Sequence, residues 1–278
     1  MDLKILLPVD GSTFCQAATR VAFQLASALP GSKLTALNIV NVRPPSGNVI
    51  SDLTGYVGFE PAVVSPEVYQ AHQQVAQGLV DTLVARAKTE GIDAEGVVAT
   101  GAITAELVAA SNRSDVVVMG VRGESEDRFP GQGGAQASNA MPQITVPVLL
   151  VPREITHIRS FAVGYDDSPS AVRALQIVGK LARPLNVPVH LIHVGDPTRG
   201  QERLEKAAQQ LGADIHTVQH LVQGQEVHRA LVDTAVSAKA DVLVLGFQGQ
   251  SKLKDVVFGS AQAHLLNKDL HVALLIAH

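Results

Sequence analysis

The chain is poor in the features that would assign it quickly to a class. Its 278 residues contain one cysteine, Cys15, so no intrachain disulfide can form and a reducing, cytoplasmic compartment is the expectation. There is no basic excess: 22 Lys and Arg stand against 26 Asp and Glu, a net charge of -4. That balance argues against general nucleic-acid or membrane-surface binding. The longest apolar runs, such as DVVVMGV and DVLVLGF, fall far short of the roughly 20 residues a membrane span needs. The opening MDLKILLPVDGS has too short an apolar run for a signal segment and no small-residue cleavage site, so no export is expected. No G-x4-G-K-[ST] phosphate loop occurs, and neither PVDGST nor GYDDSP supplies a glycine-rich phosphate loop after the first strand.

What the chain does have is glycine in a repeated pattern. The stretch GFQGQSKLKDVVFGS, 246–260, follows the apolar run ADVLVL, and GVRGESEDRFPGQGG, 120–134, follows SDVVVM. Gly120, Gly123 and Gly133 recur at one constant offset as Gly246, Gly249 and Gly259, and Asp115 recurs as Asp241. The starts of the halves also agree: KILLPVDGSTFCQAATRVAFQLA resembles FAVGYDDSPSAVRALQIVGKLA, pairing Asp10 with Asp166 and Ser12 with Ser168. The chain is an internal repeat. The units are expected at 1–152 and 160–278, joined by VPREITHIRS, with an insertion at about 44–70 in the first.

Each copy has the same order of elements: five apolar runs of strand length alternating with helical patterns. Ser12 and Ser168 are helix N-cap candidates, the second followed by Pro169 at the first helical position. Strands apolar almost throughout, alternating with helices, indicate a parallel sheet covered on both faces. Right-handed crossovers then give an α/β fold of two tandem doubly wound, Rossmann-like sheets of five strands each. With the order 3-2-1-4-5, the crevice between strands one and four brings Asp10 or Asp166 opposite the glycines of its own copy. The terminal strands VPVLLV and HVALLI lie at the edge of each half, and their pairing would make a single-chain pseudo-dimer.

Two readings of the glycine loops stand side by side. They are either bare strand-to-helix turns or cradles whose backbone N–H groups and following helix N-terminus receive a phosphate. Asp10 and Asp166 likewise either cap a turn or accept hydrogen bonds from a ligand. Ser260 could add a hydroxyl, and Lys252 or Lys254 charge. Asp115 and Asp241, which precede strands, read as turn residues. His190 and His193 fall on opposite strand faces, and His216 with His220 makes only two ligands, so no metal is expected. Cys15, in an Ala-rich helix, reads as core.

These motifs resemble the universal stress protein family in its tandem form, over nearly the whole chain. The nucleotide-binding members share a loop G-x2-G-x9-G-[ST] after strand four, which Gly246, Gly249, Gly259 and Ser260 match completely. Asp10 and Asp166 match the family's acidic residue after strand one, and Ile39 and Val194 its adenine-facing position after strand two. The resemblance implies ATP or a related adenine nucleotide, usually with a divalent ion such as Mg2+, with little or no turnover. It also implies a stress-response role and possible further association into homo-oligomers. The first copy departs from the motif: after Gly123 and Gly133 stands Gly134 instead of a hydroxyl residue, and its loop carries three acids where phosphates would approach. The second copy is therefore expected to be the better site. An interaction scaffold of the same fold, without nucleotide, and an enzyme of related architecture are the alternatives.

Overall fold

The computed structural model describes residues 2–43, 62–63, 65–123, 140–224, 226–246 and 272–277. In the first half these form β1 (Lys4–Pro8), α1 (Thr13–Ala28), β2 (Lys33–Val40), two short strands β3 (Val42–Arg43) and β4 (Ala62–Val63), and α2 (Pro66–Thr89). They continue with β5 (Asp93–Thr100), α3 (Ile103–Ser111), β6 (Val116–Gly120) and β7 (Val148–Val151). The second half comprises β8 (Phe161–Gly164), α4 (Pro169–Leu185), β9 (Val189–Val194), α5 (Pro197–Leu211) and β10 (Thr217–Val222). It ends with α6 (Val227–Ser237), β11 (Val242–Gly246) and β12 (Ala273–Ala277).

The helices begin where their first residues dictate. Ser12 Oγ accepts the Cys15 N–H at 3.0 Å, and Ser168 Oγ the Ala171 N–H at 3.3 Å. Asp196 Oδ1 does the same for Arg199 N–H at 2.9 Å, ahead of Pro197. Each cap satisfies a donor that the first helical turn leaves unpaired. At the other end of α4, Pro184 can donate no backbone hydrogen bond, and the helix closes on Asn186 in the left-handed conformation.

The strands assemble in the order β10-β9-β8-β11-β12-β7-β6-β1-β2-β5. Within each half this is the expected 3-2-1-4-5, all parallel. The two halves join through their fifth strands. β12 pairs antiparallel with β7, with Leu275 opposite Leu149, so the two sheets are one sheet of ten strands. The apolar edges are consumed by each other within the chain.

Alternation along the strands divides the core into two layers. Ile5, Leu7, Val116 and Val118 face α1, α2, α4 and α5, in a cluster that runs on into the second half through Val163, Leu191 and Leu275. Leu6, Val117 and Leu150 face the opposite way, with Leu107 of α3 and Leu231 of α6. Both layers span the junction. The connecting segment is fastened to α1 as well: Gln24 donates from Nε2 to the Ile158 carbonyl at 2.8 Å and accepts the Ile158 N–H at 2.7 Å.

Asp115 and Asp241 are architectural, each tying the start of strand four to the start of strand one. Asp115 Oδ2 accepts the Lys4 N–H at 2.8 Å. The buried Asp241 accepts the Arg159 N–H at 2.8 Å and pairs with its guanidinium at 3.0 Å. No helix among the described residues is long and apolar enough to cross a membrane.

Candidate functional site

Strand order reverses between β1 and β6 in one half and between β8 and β11 in the other, so the chain leaves adjacent carboxyl ends in opposite directions. Ligands of open α/β sheets bind at such a point. Asp10 stands two residues beyond β1. Its Oδ1 accepts the Ser12 N–H at 3.0 Å, closing a turn that passes directly into the Ser12 cap of α1. Asp166 repeats the arrangement, with Oδ1 accepting the Ser168 N–H at 3.0 Å. The turn needs a left-handed residue after the acid: Gly11 at φ +78 in the first copy, Asp167 at φ +66 in the second. Each acid is thus a turn residue by one oxygen.

The second oxygen of Asp10 faces the glycine run after strand four. A Cβ placed on Gly123 would lie 3.0 Å from Asp10 Oδ2. Any side chain at 123 would crowd that oxygen, and glycine lets the two segments approach this closely. Gly249, the counterpart in the second copy, lies outside the described residues, as do Gly133, Gly134, Lys252, Lys254, Gly259 and Ser260.

Gly120 and Gly246 have a different reason to be glycine. A Cβ on Gly246 would sit 2.3 Å from the Ser170 carbonyl oxygen, and one on Gly120 would sit 2.7 Å from Phe14 Cβ. The first turn of α4 or α1 presses on the end of strand four at these positions. Close packing of helix on strand accounts for both glycines without a ligand.

Ile39 and Val194 are half-buried at equivalent places near the ends of β2 and β9, as the pairings Pro8 with Leu37 and Gly164 with Ile192 establish. Beside them stand two residues that the sequence reading did not assign to the site. Asn38 donates from Nδ2 to the Val9 carbonyl at 2.6 Å, and His193 from Nδ1 to the Tyr165 carbonyl at 2.9 Å. The only sequence signal was their position, one residue before Ile39 and Val194.

The second copy carries a charge cluster at its acid turn. Tyr165 donates to Asp167 Oδ1 at 3.0 Å, and Lys206 of α5 reaches both Asp167 oxygens at 2.8 and 2.7 Å. Lys206, and then Tyr165, hold the Asp167 carboxyl below the usual range. Burial, reinforced by Asp167, pushes the Tyr165 phenol up to about 12. The equivalent residues in the first copy, Val9 and Gly11, supply neither phenol nor acid.

The remaining candidates separate by face. His190 lies on the other side of β9 from His193 and meets His220, Nδ1 to Nε2, at 3.0 Å. Among the described residues no group of three or more His, Cys, Asp or Glu is arranged to hold a metal ion. Cys15 is buried beside the Pro8 carbonyl, and burial, then the charge of Asp10, pushes its thiol up and away from thiolate reactivity.

Two parallel five-stranded units fused into one sheet, each with an acid-capped turn at its switch point, define a tandem doubly wound α/β protein. The universal stress protein family model matches residues 1–152 and again 157–269, and the chain belongs to that family. A universal stress protein of Synechocystis sp. is 28% identical over 286 residues, spanning 95% of this chain and 96% of its own. A universal stress protein from Archaeoglobus fulgidus has the same fold at a TM-score of 0.74 and 20% identity, covering 99% of this chain and 97% of its own. Another universal stress protein, solved in complex with cAMP, is 28% identical across 44% of this chain and 97% of its own, at a TM-score of 0.37.

Proposed function

We propose that this protein is a stress-response or regulatory module that binds ATP or a related adenine nucleotide at the carboxyl ends of its strands, chiefly in the second half. The observation that carries the reading is the approach of Gly123 to Asp10, where a Cβ at 123 would fall 3.0 Å from Asp10 Oδ2, so that the segment after strand four meets the turn after strand one. Two segments far apart in sequence converge where ligands bind in open α/β sheets. In the second half, Asp166 has the same turn geometry as Asp10, and the loop motif Gly246, Gly249, Gly259, Ser260 is complete. The N–H groups of that loop would face the phosphates, Asp166 the ribose or base, and Val194 the adenine. A divalent ion would arrive with the phosphates, since the described residues offer no metal cluster of their own. The reading carries little or no turnover with binding.

Titration calorimetry with ATP, ADP and AMP tests the proposal on the wild type and on Asp166→Ala and Gly259→Val. Each variant is expected to lose at least about tenfold in affinity, the worth of one charge-assisted contact. Unchanged affinity in both would remove the site assignment. A second reading, an interaction scaffold without nucleotide, is favoured by the packing that by itself requires glycine at 120 and 246. It prevails if the wild type binds none of the three nucleotides at millimolar concentration. The units proposed at 1–152 and 160–278 then serve as a pseudo-dimeric platform, in a reducing cytoplasm, with β5 and β10, the sheet ends among the described residues, left for homo-oligomer contacts.

A further inference from the structure

We infer that Asn38 and His193 are positioning residues, each fastening the turn that aims the acidic residue of its copy to the strand that carries the adenine-facing position. The inference rests on the nucleotide reading above. In both halves the backbone ladder between strands one and two makes one rung beyond the first strand: Val9 N–H to the Leu37 carbonyl at 2.7 Å, and Tyr165 N–H to the Ile192 carbonyl at 2.8 Å. The chain then bends away into the turn of Asp10 or Asp166. The carbonyls of Val9 and Tyr165 immediately precede those acids, and each receives a side-chain N–H, from Asn38 and from His193.

The two donors occupy equivalent register positions, and they differ chemically. An amide and an imidazole have in common here only a donor at the right reach, so the shared requirement is the hydrogen bond itself. A carbonyl only accepts, so His193 must carry a proton on Nδ1. His193 is buried, and the larger imidazole has its own accommodation: a Cβ on Gly200 would lie 2.5 Å from His193 Cδ2. Gly200 sits inside α5 and is itself buried, where glycine is about 1 kcal/mol less favourable than alanine. The helix accepts that residue where the ring must fit.

The consequence is a rigid link from Ile39 or Val194, through the preceding side chain, to the peptide that begins the acid turn. Its loss leaves a carbonyl without its donor and frees the acid to wander by the fraction of an ångström that weakens an oriented contact.

The test uses the full-length chain with His193→Leu, His193→Asn and Asn38→Leu. In the unliganded wild type, nitrogen NMR should find the His193 proton on Nδ1; an Nε2–H tautomer would overturn the inference. Amide exchange across 166–168 should rise about tenfold in His193→Leu, as expected from one lost hydrogen bond, and return to within about threefold of wild type in His193→Asn. ATP affinity at the second site should follow the same order. Asn38→Leu should instead loosen 10–12 and leave 166–168 and the second site unchanged. Should His193→Leu fold poorly, the comparison of His193→Asn with Asn38→Leu still decides, since an Asn at 193 that fails to preserve exchange protection and affinity refutes a shared donor role. Equal ATP affinity in wild type and a folded His193→Leu refutes the positioning role alone, whereas a wild type that binds no nucleotide removes the underlying site as well.

Discussion

A single hydrogen atom distinguishes Gly246 from every alternative residue. The Ser170 carbonyl stands 2.3 Å from where a Cβ would begin, and backbone cannot swing aside as a side-chain tip can. Gly246→Ala should therefore push α4 off the end of β11 and lower stability by about 1–3 kcal/mol, read as a fall in the urea midpoint. Gly78 is the control, lying exposed within α2 with nothing within 4 Å of its Cβ position. Gly78→Ala should stabilise by up to about 1 kcal/mol. Equal effects at both positions would refute the packing account of Gly246. The repeat makes these glycines conspicuous in the sequence without telling their reasons apart. Gly120 and Gly246 make room for a helix, while Gly123 lets the chain after strand four come close to Asp10. The difference depends on which segment approaches from far along the chain, and no local pattern contains it.

At the scale of the element, β10 ends the sheet among the described residues, where it pairs with β9. His190 and His220 bridge these two strands at 3.0 Å, on the face opposite His193. Their rings share the contact only while at least one nitrogen accepts. Burial lowers both, and the charges of His220 and His216 lower His190 further. The folded state thus disfavours the imidazolium relative to the unfolded chain, whose histidines titrate near 6.5. The contribution of the pair is complete above that pH and disappears as pH falls through the lower folded values. His220→Gln should flatten the fall in stability as pH drops below about 6.5, measured as the difference in urea midpoint between wild type and variant. Parallel acid limbs for the two proteins would refute the assignment. The sequence reading used the alternation of strand side chains to separate His190 from His193, and that separation is present. His216 and His220, which the sequence allows on one face, both act on His190 of the neighbouring strand.

For the whole molecule, the decisive contact is β12 against β7. Leu275 opposes Leu149 at the centre of one sheet, and both core layers run across that line. A common core predicts one cooperative unfolding transition for the wild type. Leu275→Lys would bury a charge with no partner there, at a cost of about 3–5 kcal/mol. The variant is expected to show two resolved calorimetric transitions as the halves lose their mutual support. A single transition at the wild-type temperature would show that the junction carries little of the stability. The pairing also changes what the terminal strands mean. An apolar edge that would invite a second chain is covered inside this one, and among the described residues the sheet ends at β5 and β10.

By itself the sequence determined the duplication, the alternating elements and the residues that cap the first helices. Those features follow from period, apolar runs and turn chemistry, which act over a few residues and are therefore written locally. Only the tertiary structure decided that the two sheets become one, and that Asp115 and Asp241 hold strand starts together. It likewise decided that Asn38 and His193 fasten the turns before Asp10 and Asp166. Each of these joins atoms whose partners lie in another strand or another half, and such a partner is chosen by packing in three dimensions.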